Sequence, residues 1–420
     1  MKILWVVNVP LPEASLLMQE TPTPYGGWLV ESSKRLSLEK DIELSIAFPS
    51  LKANRTNLLE GKRINYYPFK PVVNWNNKVI DGNPDFSDIF RRANPDIVNV
   101  YGTELPHVLN IVNYCKDKSI KVVLSIQGLV SVIAKHSLSG LPFSVIYGKT
   151  LRNLLRNDSV SGLKKIYEER GKFETLAIKN SNYIIGRTTW DKACASHINP
   201  EAKYFHCDEI LRDKFYQFSW DITNCEKYSI FLSQGQYPIK GFHYMLEAIP
   251  LILKYFPKTK LIVSGKNRIK SDTFKDRALM TYYGKYIKKM IEKLNIKNNV
   301  NFVGEINEEN MCEQLLKTHV FVCPSTIENS PNSLCEAMIL GVPSVASYVG
   351  GIPDLIRDRI DGFLYQHDAP YMLAHYVCEI FGNKELALSF SKNAREKALL
   401  RHDISKNTNR LLDIYRSILL

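Results

Sequence analysis

Two carboxylates, Glu328 and Glu336, bracket the stretch ENSPNSLCE, and their types and spacing suit the binding of a sugar and a phosphate. Glu336 lies inside the apolar run LCEAMIL, which Gly341-Val342-Pro343 ends. With residues about 100° apart on a helix, Glu336 falls between Ile339 and Leu340, and Leu334, Ala337 and Met338 cover the other sides. No polar face receives it. A carboxylate so placed is costly unless something hydrogen-bonds it, and sugar or ribose hydroxyls are suitable donors. The alternative is a structural Arg or Lys paired with Glu336, and a Glu328 that is only loop surface.

The elements that must hold these groups are a strand and the helix after it. His319 to Cys323 is a short β-forming run bounded by Pro324, and it reads as a buried parallel strand with Glu328 just past its end. Ser330 is expected to cap the following helix, with Pro331 in its first turn, where a missing N–H removes no intrahelical bond. The free N–H groups near Asn332, Ser333 and Leu334 would then point at an anion such as a diphosphate.

Glu328 to Glu336, followed by AMILGVPSVASYVGGIPDLI, resembles the donor-binding segment of the retaining glycosyltransferases of family 4, which have the GT-B fold. The resemblance implies that Glu328 contacts the transferred sugar, that Glu336 holds the ribose, and that amides from Asn332 to Leu334 hold the diphosphate. It also gives Lys240, in SIFLSQGQYPIKGFH, to the diphosphate, where positive charge stabilises the leaving group. A turn lysine beside a helix-starting glycine is the plain alternative.

This chain departs from the family pattern at two places. Gln236 follows Gly235 where relatives carry an arginine, and Gln127 in SIQGLVS stands where many carry a histidine. Gln236 donates hydrogen bonds without charge, so another cation is expected to compensate. Arg187 in IIGRTTWD is the candidate, against an ion pair with Asp191 on its own turn. Gly26 and Gly27 match the glycine-rich loop that lets backbone amides approach a phosphate or acceptor, or they only shape a turn. Glu104 and His107 in YGTELPH lie at a strand end suited to acceptor contacts, although such residues are commonly structural. Asp208 and Glu209 could orient an acceptor hydroxyl or form a solvated acidic loop.

Strand-like and helical runs alternate along all 420 residues, which predicts α/β layers and parallel sheets. The first series is KILWVVNV, IELSIAF, DIVNVY, KVVLSI and NYIIGR; the second is SIFLS, TKLIVSG, VNFVG, VFVCP and PSVAS. Two doubly wound Rossmann-like domains facing a cleft are expected. The first covers 1–205 and binds the acceptor, a linker covers 206–228, and the donor domain covers 229–403. In the resembling fold the last helix, here 404–420, packs back on the first domain.

Composition narrows the function classes. The hydrophobic content of 45% is ordinary for a globular protein, and no apolar run approaches a membrane span. The N-terminal run Ile3 to Val7 is interrupted by Asn8 and Pro10 and reads as a strand rather than a signal peptide. The eight cysteines show no CxxC pair or metal-ligand spacing, as expected of reduced thiols in the cytoplasm. No Asp-x-Asp occurs, and neither a metal nor a cofactor beyond the nucleotide-sugar substrate is expected.

Positive charge is concentrated. Residues 251–300 hold thirteen Lys or Arg against three acids, and 101–200 hold fourteen against seven, within a net charge of +12. The segment LPFSVIYGKTLRNLLR interleaves apolar residues with Lys149, Arg152 and Arg156, which fits either a helix on a membrane surface or a core-facing one. The expected activity is transfer of a sugar from a nucleotide diphosphate to a hydroxyl acceptor, with retention. The acceptor is a glycan, expected on a lipid carrier at the inner membrane face, as in bacterial surface-polysaccharide assembly. A sugar-nucleotide epimerase of the same fold and a catalytically weak sugar-nucleotide binder are the alternatives; nucleic acid is not an expected partner, since no groove-reading motif accompanies the charge.

Overall fold

Alternation within the first strand decides how its sheet is covered. Ile3, Trp5 and Val7 face one way and Leu4 and Val6 the other, and all five are at most 1% exposed. Both faces of a sheet carrying such strands must therefore be covered. The computed structural model describes residues 1–22, 26–53, 58–74, 78–80, 85–156, 158–267, 269 and 273–420. Parts of two sequence stretches, residues 23–25 before Gly26 and residues 268 and 270–272 of the basic region, lie outside these.

The described residues form two compact units. One comprises Met1–Ala134, Ile166–Arg212 and His402–Leu420, and the other Lys135–Lys165 and Asp213–Arg401. The chain passes between them at Ala134/Lys135, Lys165/Ile166, Arg212/Asp213 and Arg401/His402, and the third of these lies inside the expected linker. Residues 135–165 differ from expectation: they lie within the sequence assigned to the first domain but group with the second unit.

In the first unit the strands are Lys2–Val6 (β1), Glu43–Pro49 (β2), Leu59–Glu60 (β3), Asn65–Phe69 (β4), Ile97–Tyr101 (β5), Lys121–Ser125 (β6), Tyr183–Gly186 (β7) and Lys203–His206 (β8). Their order is β3-β4-β2-β1-β5-β6-β7-β8, parallel except for the β3–β4 pair. Leu4, Val6, Val98 and Val100 pack with Val108, Ile111 and Val112 of the helix His107–Asp117 on one face. On the other face Ile3, Trp5 and Val7 meet Leu411, Tyr415 and Ile418 of the last helix, Ile404–Leu419. The Tyr415 hydroxyl accepts hydrogen bonds from Trp5 Nε1 at 3.0 Å and Asn99 Nδ2 at 2.6 Å, which fixes that helix against β1 and β5.

In the second unit the strands are Glu226–Leu232 (β9), Lys260–Ser264 (β10), Val300–Gly304 (β11), Thr318–Cys323 (β12), Ser344–Ser347 (β13) and Phe363–Tyr365 (β14). All pairs are parallel, in the order β11-β10-β9-β12-β13-β14. The order reverses between β9 and β12, so the loops leaving their carboxyl ends diverge and leave a crevice suited to a ligand. The equivalent reversal in the first sheet lies between β1 and β5. No helix among the described residues is long and apolar enough to cross a membrane.

Candidate functional site

The β9/β12 reversal brings together the residues singled out on the second unit. After β9 the chain runs through Ser233 and Gln236 into a short 3-10 turn, Pro238–Lys240, and then into the helix Phe242–Leu253. After β12 it runs through Ser325, Thr326 and Glu328 into the helix Asn332–Leu340. A backbone hydrogen bond from Thr326 N–H to Ile239 O, 2.8 Å, ties the two loops. Gly241, at φ +67, lies so close to the Pro324 carbonyl that any Cβ there would overlap it.

Lys240 Nζ consequently reaches Glu328 Oε1 at 2.5 Å, and Ser325 Oγ donates to the same oxygen at 2.9 Å. The Lys240 and Glu328 side chains are 25% and 14% exposed, so this ion pair is only partly screened by water. The Glu328 backbone is also fixed, because Gly351 N–H donates to its carbonyl at 3.0 Å and Gly350, at φ +51, packs on the same carbonyl. Ser347 Oγ donates to Ser325 O at 2.6 Å from the end of β13. Burial, and after it the Glu328 carboxylate, push the Cys323 thiol up to about 12.

The helix Asn332–Leu340 starts one residue later than expected. Pro331 is the N-cap and no side chain caps the helix, while Ser330 Oγ lies 3.8 Å from Cys335 Sγ instead. Leu334 N–H closes onto Pro331 O at 3.0 Å, so the first turn presents chiefly the Asn332 and Ser333 N–H groups outward. Ser233 Oγ donates to Ser333 Oγ at 2.9 Å, holding this helix end against the β9 loop. Glu336 follows within the same helix and is 4% exposed. Gln236 is 7% exposed, and its Oε1 has no hydrogen-bond partner among the described residues. Lys240, Glu328 and the helix start therefore lie at the carboxyl ends of one parallel sheet, with Gln236 on the loop that leads to Lys240, an arrangement able to take a phosphate and a hydroxyl-bearing group.

The first unit treats its predicted residues differently. The guanidinium of Arg187 forms an ion pair with Glu209 and donates through Nη2 to Gln127 Oε1 at 3.2 Å and Gln127 O at 3.3 Å. Asp191 accepts the Arg187 backbone N–H at 3.0 Å, which secures the turn. Arg187, Gln127, Asp208 and Glu209 line one pocket with Trp28 and Tyr101. Glu209 is thus not a solvated loop acid: its side chain is 10% exposed and paired.

Glu104, at the β1/β5 reversal, accepts from Asn8 Nδ2 at 2.5 Å, and burial above all raises its pKa. His107 is 2% exposed with its ring 5.1 Å from that of Phe69, and burial lowers its pKa to about 3. It occupies the core, neutral, rather than a loop surface. Gly26 takes φ +79 as the N-cap of the helix Gly27–Leu36, and Arg212 packs so closely over Gly27 that a Cβ there would displace it.

Sequence reasoning did not reach Ser325, Ser233, Asn8 or Glu174, which accepts from Thr103 Oγ1, Ser131 Oγ and the N–H groups of Val130 and Ser131. For Ser325, Ser233 and Asn8 a position just past a strand end was the available signal; Glu174, inside the helix Val160–Lys179, offered none.

Comparison with known proteins fits this division. Residues 214–397 match the family "Glycosyl transferases group 1". An uncharacterized glycosyltransferase of Methanocaldococcus jannaschii is 22% identical over 195 residues, 46% of each chain. The poly(ribitol-phosphate) alpha-N-acetylglucosaminyltransferase of Staphylococcus aureus is 25% identical over 181 residues, covering 43% of this chain and 34% of that one. The matched region thus spans less than half the length of these curated relatives. Among solved structures, Anabaena HepE in complex with UDP and glucose aligns at a TM-score of 0.68 and 15% identity, over 99% of this chain and 100% of the other, which establishes a shared fold. Residues 214–397 thus resemble the group 1 glycosyl transferases, and the fold of the chain is GT-B.

Proposed function

We propose that this protein is a retaining glycosyltransferase of family 4 that moves a sugar from a nucleoside-diphosphate-sugar to a hydroxyl on a glycan acceptor. The observation that carries the reading is the Lys240–Glu328 pair beside the uncapped start of the helix Asn332–Leu340, at the β9/β12 reversal. In this reading Lys240 Nζ and the Asn332 and Ser333 N–H groups hold the diphosphate, Glu328 accepts from a hydroxyl of the transferred sugar, and Glu336 accepts from the ribose. As the bond from the anomeric carbon to the diphosphate oxygen breaks, negative charge grows on that oxygen, where Lys240 and the helix start stabilise it. The acceptor oxygen bonds to the same face of the sugar and its proton passes to the departing diphosphate, so no protein base is required. Placement and electrostatics supply the catalysis.

The Staphylococcus aureus relative is named for transfer to a poly(ribitol-phosphate), which supports a polymeric acceptor here, and the HepE structure holds UDP and glucose, which supports a nucleotide-sugar donor. We place the protein in the cytoplasm, acting on a lipid-linked acceptor in surface-polysaccharide assembly. Gln236 motivates a second reading, a binder with weak turnover, because an uncharged side chain stands where the family carries a cation.

Incubating the purified protein with UDP-, GDP- and ADP-sugars, with nucleotide release and sugar identity followed, separates the possibilities. Slow release of nucleotide and unchanged sugar supports the transferase. An epimerised sugar identifies an epimerase, and binding without turnover identifies the binder.

A further inference from the structure

Helices in water turn apolar side chains inward, and the short helix Leu151–Arg156 does the reverse. Arg152 and Asn153 are buried, at 7% and 2% exposure, whereas Leu151, Leu154 and Leu155 are 74%, 61% and 79% exposed. Hydrogen bonding fixes the inversion. Asn153 Oδ1 accepts from Thr150 N–H at 3.1 Å, from Thr150 Oγ1 at 2.9 Å and from Tyr282 N–H at 3.0 Å, and Arg152 is paired with Asp158 at 2.6 Å. With the polar residues held inside, the leucines can only face out. Just upstream, Phe143 and Tyr147 are 79% and 66% exposed with their rings stacked at 6.3 Å, while Val145 between them is buried.

Cationic groups are numerous in the same segment and on the helix packed against it. Residues 135–165 hold six Lys or Arg against a single acid, Asp158, which is already paired with Arg152; Lys149 and Arg156 are exposed. The helix Phe143–Tyr147 packs against the helix Tyr282–Lys293, which carries Lys285, Lys288, Lys289 and Lys293 against Glu292. Residues 135–165 of the first basic stretch and the helix of the second thus meet on one unit, which also carries the outward leucines.

We infer that this surface docks the protein on an anionic lipid bilayer. The leucines and aromatic rings enter the boundary between headgroups and acyl chains, and the lysines and arginines meet lipid phosphates. A second copy of this chain is a poor occupant, since it would bring the same cations against themselves. Docking requires no nucleotide sugar and so stands apart from the transfer reading, to which it gives a place where a lipid-linked acceptor is found.

The test is co-sedimentation of the full chain with phosphatidylcholine vesicles, with and without phosphatidylglycerol, at low and high salt. Binding is expected only with phosphatidylglycerol and should weaken with salt. The variant L151S/L154S/L155S, shown to be folded by circular dichroism, should lose at least about tenfold in vesicle partitioning. Should that variant misfold, K149E/R156E must weaken binding at low salt, and the fluorophore in Phe143→Trp must shift to shorter wavelength on adding anionic vesicles. Wild-type protein that ignores phosphatidylglycerol, undiminished binding by the folded leucine variant, or a fluorescence shift that follows protein concentration without lipid would overturn the inference. None of these readouts depends on nucleotide-sugar binding, so the transfer reading stands or falls separately.

Discussion

The two sheets reverse strand order at equivalent places, yet they use their charged residues differently. At the β9/β12 reversal, Lys240 and Glu328 lie on loops, partly exposed, beside a helix start with no side-chain cap. In the first unit the Arg187 charge is committed to Glu209 and Gln127, with both side chains of the ion pair at most 10% exposed. The first arrangement holds polar groups ready for a ligand; the second joins β6, β7 and the turn after β8. What distinguishes them is whether a charge's partner leaves it accessible, rather than the presence of the charge.

Substitution should separate the two. Lys240→Ala removes a cation that the transfer reading sets against the leaving group, so nucleotide release should slow by about 10²–10³-fold with a small change in melting temperature. Arg187→Ala should do the opposite. It leaves Glu209 buried without its cation and should lower stability by about 3 kcal/mol in denaturant titrations, while turnover of the folded fraction stays within a few-fold. A large loss of turnover at unchanged stability would restore Arg187 as a phosphate partner. Gly350→Ala puts a Cβ onto the Glu328 carbonyl at positive φ, so it should cost about 1–3 kcal/mol in thermal unfolding and weaken donor binding together.

The smallest effect concerns pH and the first unit. His107 has a pKa lowered from 6.5 to about 3, so the unfolded chain binds its proton more readily than the folded one. Its contribution is complete above pH 6.5 and is lost as pH falls toward 3, with a slope of up to about 1.4 kcal/mol per pH unit. His107→Leu should flatten that slope in acid unfolding curves and leave donor binding at neutral pH unchanged.

Much of the second unit was legible because its chemistry lies in consecutive residues at strand ends. Glu328, Asn332 to Leu334 and Glu336 form one short segment, and Lys240 follows β9 closely. Ten strands showed as apolar runs. Four did not: β4 carries Pro68 within NYYPF, β3 and β14 are only two and three residues long, and β8 lies where periodicity fades. The helix start slipped by one residue because Pro331 serves as readily just before a helix as in its first turn. Partners distant in sequence stayed hidden. Nothing local to Arg187 points to Glu209, and nothing in TLRNLLR shows that Asn153 is held by Tyr282, which is why the outward leucines and the grouping of residues 135–165 emerge only in three dimensions.

The central claim, that the β9/β12 reversal holds a nucleoside-diphosphate-sugar, is tested most directly by titrating UDP- and GDP-sugars calorimetrically into wild type and Glu336→Gln. The account predicts saturable binding of at least one donor by wild type and affinity lower by at least about tenfold in the variant, a loss of about 1.4 kcal/mol. Equal affinity in both proteins, or no donor binding by a folded wild type, would contradict it.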